Sequence, residues 1–304
     1  MRVIILNLYF GKRPAYFDLF IHSCRLNNTI DFLFFVDFEV PAHLPDNVRF
    51  IKTDFEAIRT RFQSFFDFPI ALNSPYKLTD FQPAYGELLS EYLNGYEWWG
   101  HCDFDMLFGD LSPVLKVVKN DQHVKIFRRG HLTLYKNNSN VNNTYKNVLG
   151  GLNYKIIFSS EKFYNFDETN GIDKIFALMS YPVFREELIA DINSKSPFLY
   201  MTAHNNRWGQ YFFWSNGKLI CKNGAIIDKE YIYIHFQKRK MAELYDLKDL
   251  NKLQLIINQF GFFGVSDGQK SQGYKIYSYF PNVAHLFRFF VPRIIKVFKS
   301  SALK

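Results

Sequence analysis

Between Arg2 and Cys102 the sequence alternates short, nearly continuous apolar runs with segments of helical periodicity, which leaves few architectures open. RVIILNLYF has strand character and is closed by Gly11 and Pro14, and AYFDLFIHSCRLN after it places apolar residues at helical spacing. TIDFLFFVD and NVRFIKTD are two further strand-like runs, and YEWWGHCD is a fourth, expected at the centre of the sheet. Such runs, apolar on both alternating positions, suit strands buried on both faces. Strands separated by helices predict an α/β domain, a doubly wound, mixed but mostly parallel sheet flanked by helices. YKLTDFQPAYGELLSEYL predicts a helix from about Pro83, and GDLSPVLKVV another with Ser112 as N-cap and Pro113 first inside. The Asn-rich residues 135–147 predict a mobile surface loop, and YIYIHFQ, residues 231–237, a late strand. A domain is expected over residues 1–265, with SDGQKSQG opening a linker and tail over residues 266–304.

Hydrophobic residues make up 48% and charged residues 22% of the chain, a balance that supports a packed core and excludes disorder. The three cysteines show no CxxC or Cys/His spacing, which argues against a disulfide framework or a structural zinc site and for a reducing cytoplasm. The N-terminal run reads as a first strand and not as a signal peptide, and no apolar stretch reaches the roughly 18 residues of a membrane span. The net charge of +8 is confined to the end of the chain. Beyond Asp267 there are seven Lys and Arg and no acid, which leaves 30 Lys and Arg against 29 Asp and Glu over residues 1–267. A neutral body argues against a nucleic-acid partner.

The run YEWWGHCDFDMLFGDL drives aromatic residues straight into Asp103 and Asp105. Carboxylates desolvated together are costly unless a cation neutralises them. Residues i and i+2 of a strand point to one side, so the two acids can converge on one ion at the carboxyl end of a strand, where α/β sheets bind ligands. Hard oxygen ligands suit Mg²⁺ or Mn²⁺ beside substrate phosphates. A turn cluster at a helix entry is the plainer alternative.

WWGHCDFDMLFGDL resembles the DxD region of metal-dependent nucleotide-sugar glycosyltransferases of the GT-A fold, most of all the bacterial ones that build capsule or lipopolysaccharide glycans. YKLTDFQPAYGELL resembles the helical segment these enzymes carry just upstream. The resemblance implies Mn²⁺ or Mg²⁺, a nucleoside-diphosphate sugar such as a UDP-sugar as donor, and a glycan or lipid-linked glycan as acceptor. It implies that Asp103 approaches the sugar and the metal, that Asp105 ligates the metal, and that His235 in YIHFQKRK completes the site with Lys238 beside the diphosphate. Lys77, Asp80 and Tyr9 are candidates for the donor pocket, the first two with a local surface ion pair as the alternative, and His131 is a candidate contact of the donor sugar, with a structural role as the favoured alternative. Asp167 and Glu168 in FDETNG take the acceptor-side acidic positions, Glu168 as the reacting carboxylate. The relatives carry Asp-Gln there, so retention or inversion stays open. Trp208 is a candidate stacking platform. Rival readings are a metal-dependent nucleotidyltransferase or phosphohydrolase, and a non-catalytic glycan- or membrane-binding protein.

AHLFRFFVPRIIKVFKSSALK sets Phe287, Phe290, Val291, Ile294, Ile295 and Phe298 on one helical face against Arg288, Arg293, Lys296 and Lys299. This pattern predicts an amphipathic helix lying on the inner face of the cell membrane, with the protein cytoplasmic and peripheral. A helix docked on the protein core is the alternative.

Overall fold

The computed structural model describes residues 1–185, 188–202, 206–207, 209–222, 229–244 and 252–265. The expected tail helix over residues 284–304, the linker before it and Trp208 lie outside the described residues. The chain divides into two compact units, the first formed by Met1–Phe104 and Leu111–Glu187, the second by Asp105–Asp110 and Leu188–Lys304.

Unit 1 follows the alternation of its sequence. Strand β1 (Val3–Tyr9) leads into helix α1 (Phe17–Arg25), β2 (Asp31–Val36), β3 (Val48–Lys52) and α2 (Phe55–Gln63), whose first turn is capped by the Asp54 side chain accepting from Ala57 N. Residues 75–93 then form a succession of short helical turns that includes α3 (Leu78–Phe81) and α4 (Tyr85–Leu88). The single helix expected from Pro83 is thus begun earlier and broken, because Pro83 removes a backbone donor within it. Strand β4 (Trp98–Cys102) follows, then β5 (Met106–Phe108) of unit 2, then α5 (Ser112–Lys119), β6 (Lys125–Arg129) and β7 (Leu132–Lys136). Ser112 is the first residue of α5, and Leu111 holds the cap position expected for it. The unit ends with α6 (Ser139–Asn142), α7 (Tyr154–Phe158), α8 (Ile172–Leu178) and the two-residue β8 (Val183–Phe184).

The seven strands lie in the order β3-β2-β1-β4-β7-β6-β8, which puts β4 at the centre as expected. Only β7 runs against the rest, so the sheet is mixed and mostly parallel. β2 shows why it is covered on both sides: Phe34 meets Phe20 of α1 at 5.7 Å between ring centres, while Phe35, pointing the other way, meets Tyr92 at 5.2 Å. The Asn-rich residues 135–147 are structure, not a loose loop. Asn142 Oδ1 accepts from Trp99 Nε1 at 2.7 Å, and Asn137 Nδ2 donates to the carbonyls of Leu93 and Tyr96.

The pair of Lys77 and Asp80 is sealed in unit 1. Lys77 Nζ donates to Asp80 Oδ2 (2.8 Å) and to the carbonyls of Ile157 (3.0 Å) and Lys162 (2.6 Å), using all three of its protons. Asp80 in turn accepts from the amides of Tyr164 and Phe166. Removing one partner strands a buried charge. Lys77→Met is therefore expected to lower unfolding stability by about 3–5 kcal/mol in denaturant titrations; a loss below about 1 kcal/mol, the scale of a surface pair, would show that the charge is solvated.

The described residues of unit 2 form two sheets. The three-stranded one is β5-β13-β9, built from β5, β9 (Ile189–Asp191) and β13 (Tyr233–His235). The six-stranded one has the order β12-β11-β10-β15-β16-β14, from β10 (Tyr211–Ser215), β11 (Lys218–Lys222), β12 (Lys229–Tyr231), β14 (Ala242–Leu244), β15 (Gln254–Asn258) and β16 (Gly261–Gly264). The run expected as one strand over residues 231–237 is therefore split, with Tyr231 and Tyr233 serving different sheets. Ile232 between them donates its amide to Leu188 O.

Candidate active site

In unit 1 the strand order reverses beside β1: β2 lies on one side and β4 on the other. Ligand crevices of open α/β sheets form outside the carboxyl ends of strands at such a point. Tyr9 ends β1 there and Asp103 follows β4. The Tyr9 hydroxyl donates to Lys12 O at 2.9 Å, and Gly11 N donates to Asp37 Oδ1 at 2.9 Å, which ties the loop after β1 to the end of β2. Asp37 was not among the residues expected from sequence, although its place directly after an apolar strand run marks it. Between the two acids of the D-x-D stretch, the Phe104 ring is gripped by Phe20 (4.9 Å), Phe34 (5.1 Å) and Tyr9 (5.0 Å). Asp103 N donates to His131 O at 3.1 Å.

The acids of FDETNG follow the segment that Asp80 grips. Asp167 is buried, and its carboxylate rests on Gly130, where a Cβ would lie 1.7 Å from Oδ2. Glu168 is half-buried in a turn closed by Gly171 N donating to Glu168 O. Gly171 is needed for closeness, because a Cβ would stand 2.3 Å from Phe166 O. Burial, followed by the charges of Glu168 and Asp103, pushes the Asp167 carboxyl well above the ordinary range. Lys125 is held down to about 8 by burial, against the opposing charge of Asp173 at 3.1 Å. Lys77 and Asp80 are brought together and bond to each other and to backbone.

Unit 2 assembles its own constellation by register. β13 pairs with β5 and with β9 so that His235 stands opposite Met106 on one side and Asp191 on the other, and Asp105 immediately precedes Met106. His235 Nδ1 lies 2.9 Å from Asp191 Oδ1, which also accepts from Gln237 Nε2 (2.7 Å), while Oδ2 accepts from Thr202 Oγ1 (3.0 Å). A carboxylate can only accept, so Nδ1 carries the proton and Nε2 is turned to Asp105 Oδ1 at 3.5 Å. Lys238 N donates to Asp105 Oδ2 at 2.6 Å, and Phe236 N to Asp105 O at 2.8 Å. This wrapping forces Gln237 and Lys238 into left-handed backbone, φ +47° and +58°, a conformation that costs free energy in ordinary side-chain residues. Burial pushes the Asp105 carboxyl up, but His235 and the Lys238 amide outweigh it and hold it below the ordinary range.

The lowering of the Asp105 carboxyl by His235, 3.5 Å away, requires a positive charge on or beside Nε2, because Nε2 of a neutral imidazole only accepts. A proton or a metal ion satisfies that demand, and a nitrogen–oxygen donor pair suits Mn²⁺. The Asp191–His235 hydrogen bond is the kind that orients metal-ligating histidines. Of the expected residues, Asp105, His235 and the backbone of Lys238 meet in unit 2, whereas Asp191, Gln237 and Thr202 escaped the sequence reading. In unit 1, Asp103 and Asp167 act on each other's charge, and Tyr9 flanks the same strand ends.

A sequence-family model described as a family of unknown function (DUF6625) matches residues 4–263. No curated protein matches the sequence. Among solved structures, the galactosyltransferase LgtC in complex with donor and acceptor sugar analogues is similar at 10% identity and a TM-score of 0.35, over 63% of this chain and 75% of that one. An active-site mutant of LgtC aligns at 10% identity and a TM-score of 0.38, over 78% of this chain and 87% of that one. Mouse xyloside xylosyltransferase 1 in its apo form aligns at 7% identity and a TM-score of 0.31, over 63% and 87% of the two chains.

Proposed function

We propose that this chain, which belongs to the DUF6625 family of unknown function, is a glycosyltransferase that moves a sugar from a nucleoside-diphosphate sugar to a glycan acceptor with the help of Mn²⁺ or Mg²⁺. The observation that carries this reading is the paired approach of Asp105 and His235, locked by Asp191 and by a strained turn. Asp103, Asp105 and His235 would hold the metal, which when bound neutralises diphosphate charge. Tyr9 would flank the nucleoside, and Lys238 the diphosphate. Lys77 and Asp80 would serve the site from behind, by fixing the backbone that leads to Asp167. Glu168, with Asp167 behind it, would receive the acceptor hydroxyl's proton or stabilise the positive anomeric carbon.

The finer reading is a UDP-sugar donor and a lipid-linked glycan acceptor in bacterial surface polysaccharide synthesis. In it residues 1–265 are the catalytic body, and the basic residues 266–304 hold the protein on the inner face of the cell membrane. Among the described residues no helix is long and apolar enough to cross a membrane.

Titration calorimetry with UDP, with and without Mn²⁺, tests the reading together with a screen of nucleotide sugars for slow, acceptor-independent release of sugar. Metal-dependent UDP binding and sugar release are expected. Cleavage of nucleotides that carry no sugar would instead make the protein a metal-dependent phosphohydrolase, and no nucleotide binding at all would leave a non-catalytic binding protein.

A further inference from the structure

Next to Asp103 and Asp167, unit 1 buries polar atoms that its own hydrogen bonds leave unpaired. His101 precedes Asp103 by two residues and is fully buried, Tyr135 is 1% exposed and Gln82 is 6% exposed. Neither ring nitrogen of His101, nor the Tyr135 hydroxyl, nor Gln82 Oε1 reaches a hydrogen-bond partner in the protein, although the Gly130 backbone is near enough to act on the His101 ring. His101 and Tyr135 are neighbours, and Tyr85 links them to the turn that carries Gln82. The His101 ring centre lies 5.9 Å from that of Tyr135 and 6.5 Å from that of Tyr85. Gln82 lies one helical turn before Tyr85, on the same face. Asp167 acts electrostatically on both Tyr85 and Tyr135, and Asp103 on Tyr85.

Buried polar atoms are nearly always paired, because an unpaired one forfeits its hydration. Phenylalanine at 135 or leucine at 82 would fill similar space without that loss. The chemistry of the unpaired set narrows what could pair it. His101 is fully buried, and a neutral imidazole offers one donor and one acceptor. The Tyr135 hydroxyl offers both, and Gln82 Oε1 only accepts. An anion would want donors throughout, and a cation acceptors throughout. A mixture suits neutral hydroxyl groups, each of which gives and takes one bond, with the Tyr85 ring as an apolar wall.

We infer that Gln82, His101 and Tyr135 form a subsite for the hydroxyl groups of the sugar being transferred. The inference rests on the donor reading above and gives it a location within unit 1. The test measures the affinities of UDP, UDP-glucose, UDP-galactose, UDP-xylose and UDP-N-acetylglucosamine in Mn²⁺ for the full chain, for Tyr135→Phe and for Gln82→Leu. Each variant should bind the preferred nucleotide sugar about tenfold more weakly, the scale of one lost hydrogen bond, while its affinity for UDP stays within about twofold. Melting temperatures without ligand should be equal to or above that of the unaltered protein. Nucleotide-sugar affinity unchanged in both variants, or lost in step with that of UDP, would overturn the subsite. Should one variant fail to fold, the other decides. If the unaltered protein binds UDP and the sugar release described above is seen, yet the variants behave like it, only the subsite fails. If it binds no nucleotide at all, the donor reading fails and takes the subsite with it.

Discussion

Asp105→Asn should abolish sugar transfer and weaken Mn²⁺-dependent nucleotide binding by 10-fold to 100-fold or more, the scale seen when a metal site is disturbed. Asparagine keeps the shape of the side chain and an oxygen for the Lys238 amide, so the turn at 236–238 loses little. What goes is the negative charge facing His235 Nε2, the group that turns the pair into a cation site. Near-native circular dichroism and melting temperature should accompany the loss. The companion Asp191→Asn leaves the three proposed metal ligands in place but removes the charge that orients the His235 ring, and should give a weaker effect in the same direction. Wild-type metal dependence in Asp105→Asn would remove the acid from the metal site. A larger defect in Asp191→Asn than in Asp105→Asn would mean that the constellation is structural.

Glu168→Gln should lower turnover by about 100-fold or more while leaving nucleotide affinity within about 1 kcal/mol, as for loss of a positioned acid–base group. The half-buried position of Glu168, against the buried Asp167, is what distinguishes the two acids. Asp167 gives an opposite signature in stability. Its folded-state pKa is raised, so between the ordinary carboxylate value and that raised value the folded chain holds a proton that the unfolded chain has released. Stability from this group is present at low pH and is lost as pH rises. Asp167→Asn mimics the protonated acid and should melt higher than the unaltered protein at pH 7, with the difference shrinking toward pH 4. A variant less stable than wild type at pH 7 would show that Asp167 is ionised and paired. Wild-type turnover in Glu168→Gln would exclude that residue from the chemistry.

The parts of the fold that could be read in advance are those written in consecutive residues. The runs that became β1, β2 and β4 carry their burial on both alternating positions, so no tertiary knowledge was needed to see them. Asp103 and Asp105 stood out because carboxylates after a buried run demand an explanation. Asp191 carried no such mark, since its meaning comes from the parallel pairing of β9 with β13, which sets it beside a histidine 44 residues away. The same holds for Lys77 and Asp80: their spacing fits a local surface pair, and only the folding of residues 157–166 over them makes it a sealed one. The Asn-rich block misled because its polarity reads as solvation, whereas Asn137 and Asn142 spend their amides on backbone and on Trp99.

The grip of Asp80 on residues 164 and 166 also bears on how the segment moves. The amides of Tyr164 and Phe166 can exchange with solvent only when a buried carboxylate lets go, and that carboxylate is bound to a lysine whose three protons are committed. In deuterium labelling these two amides should therefore exchange with the slow core of unit 1, although they belong to a connecting segment. Glu168 is two residues past the second anchor, and its own amide is held by Asn165 O. The carboxylate proposed for the chemistry is thus mounted on backbone that does not fray on its own, and an arriving acceptor would spend little of its binding free energy on ordering it.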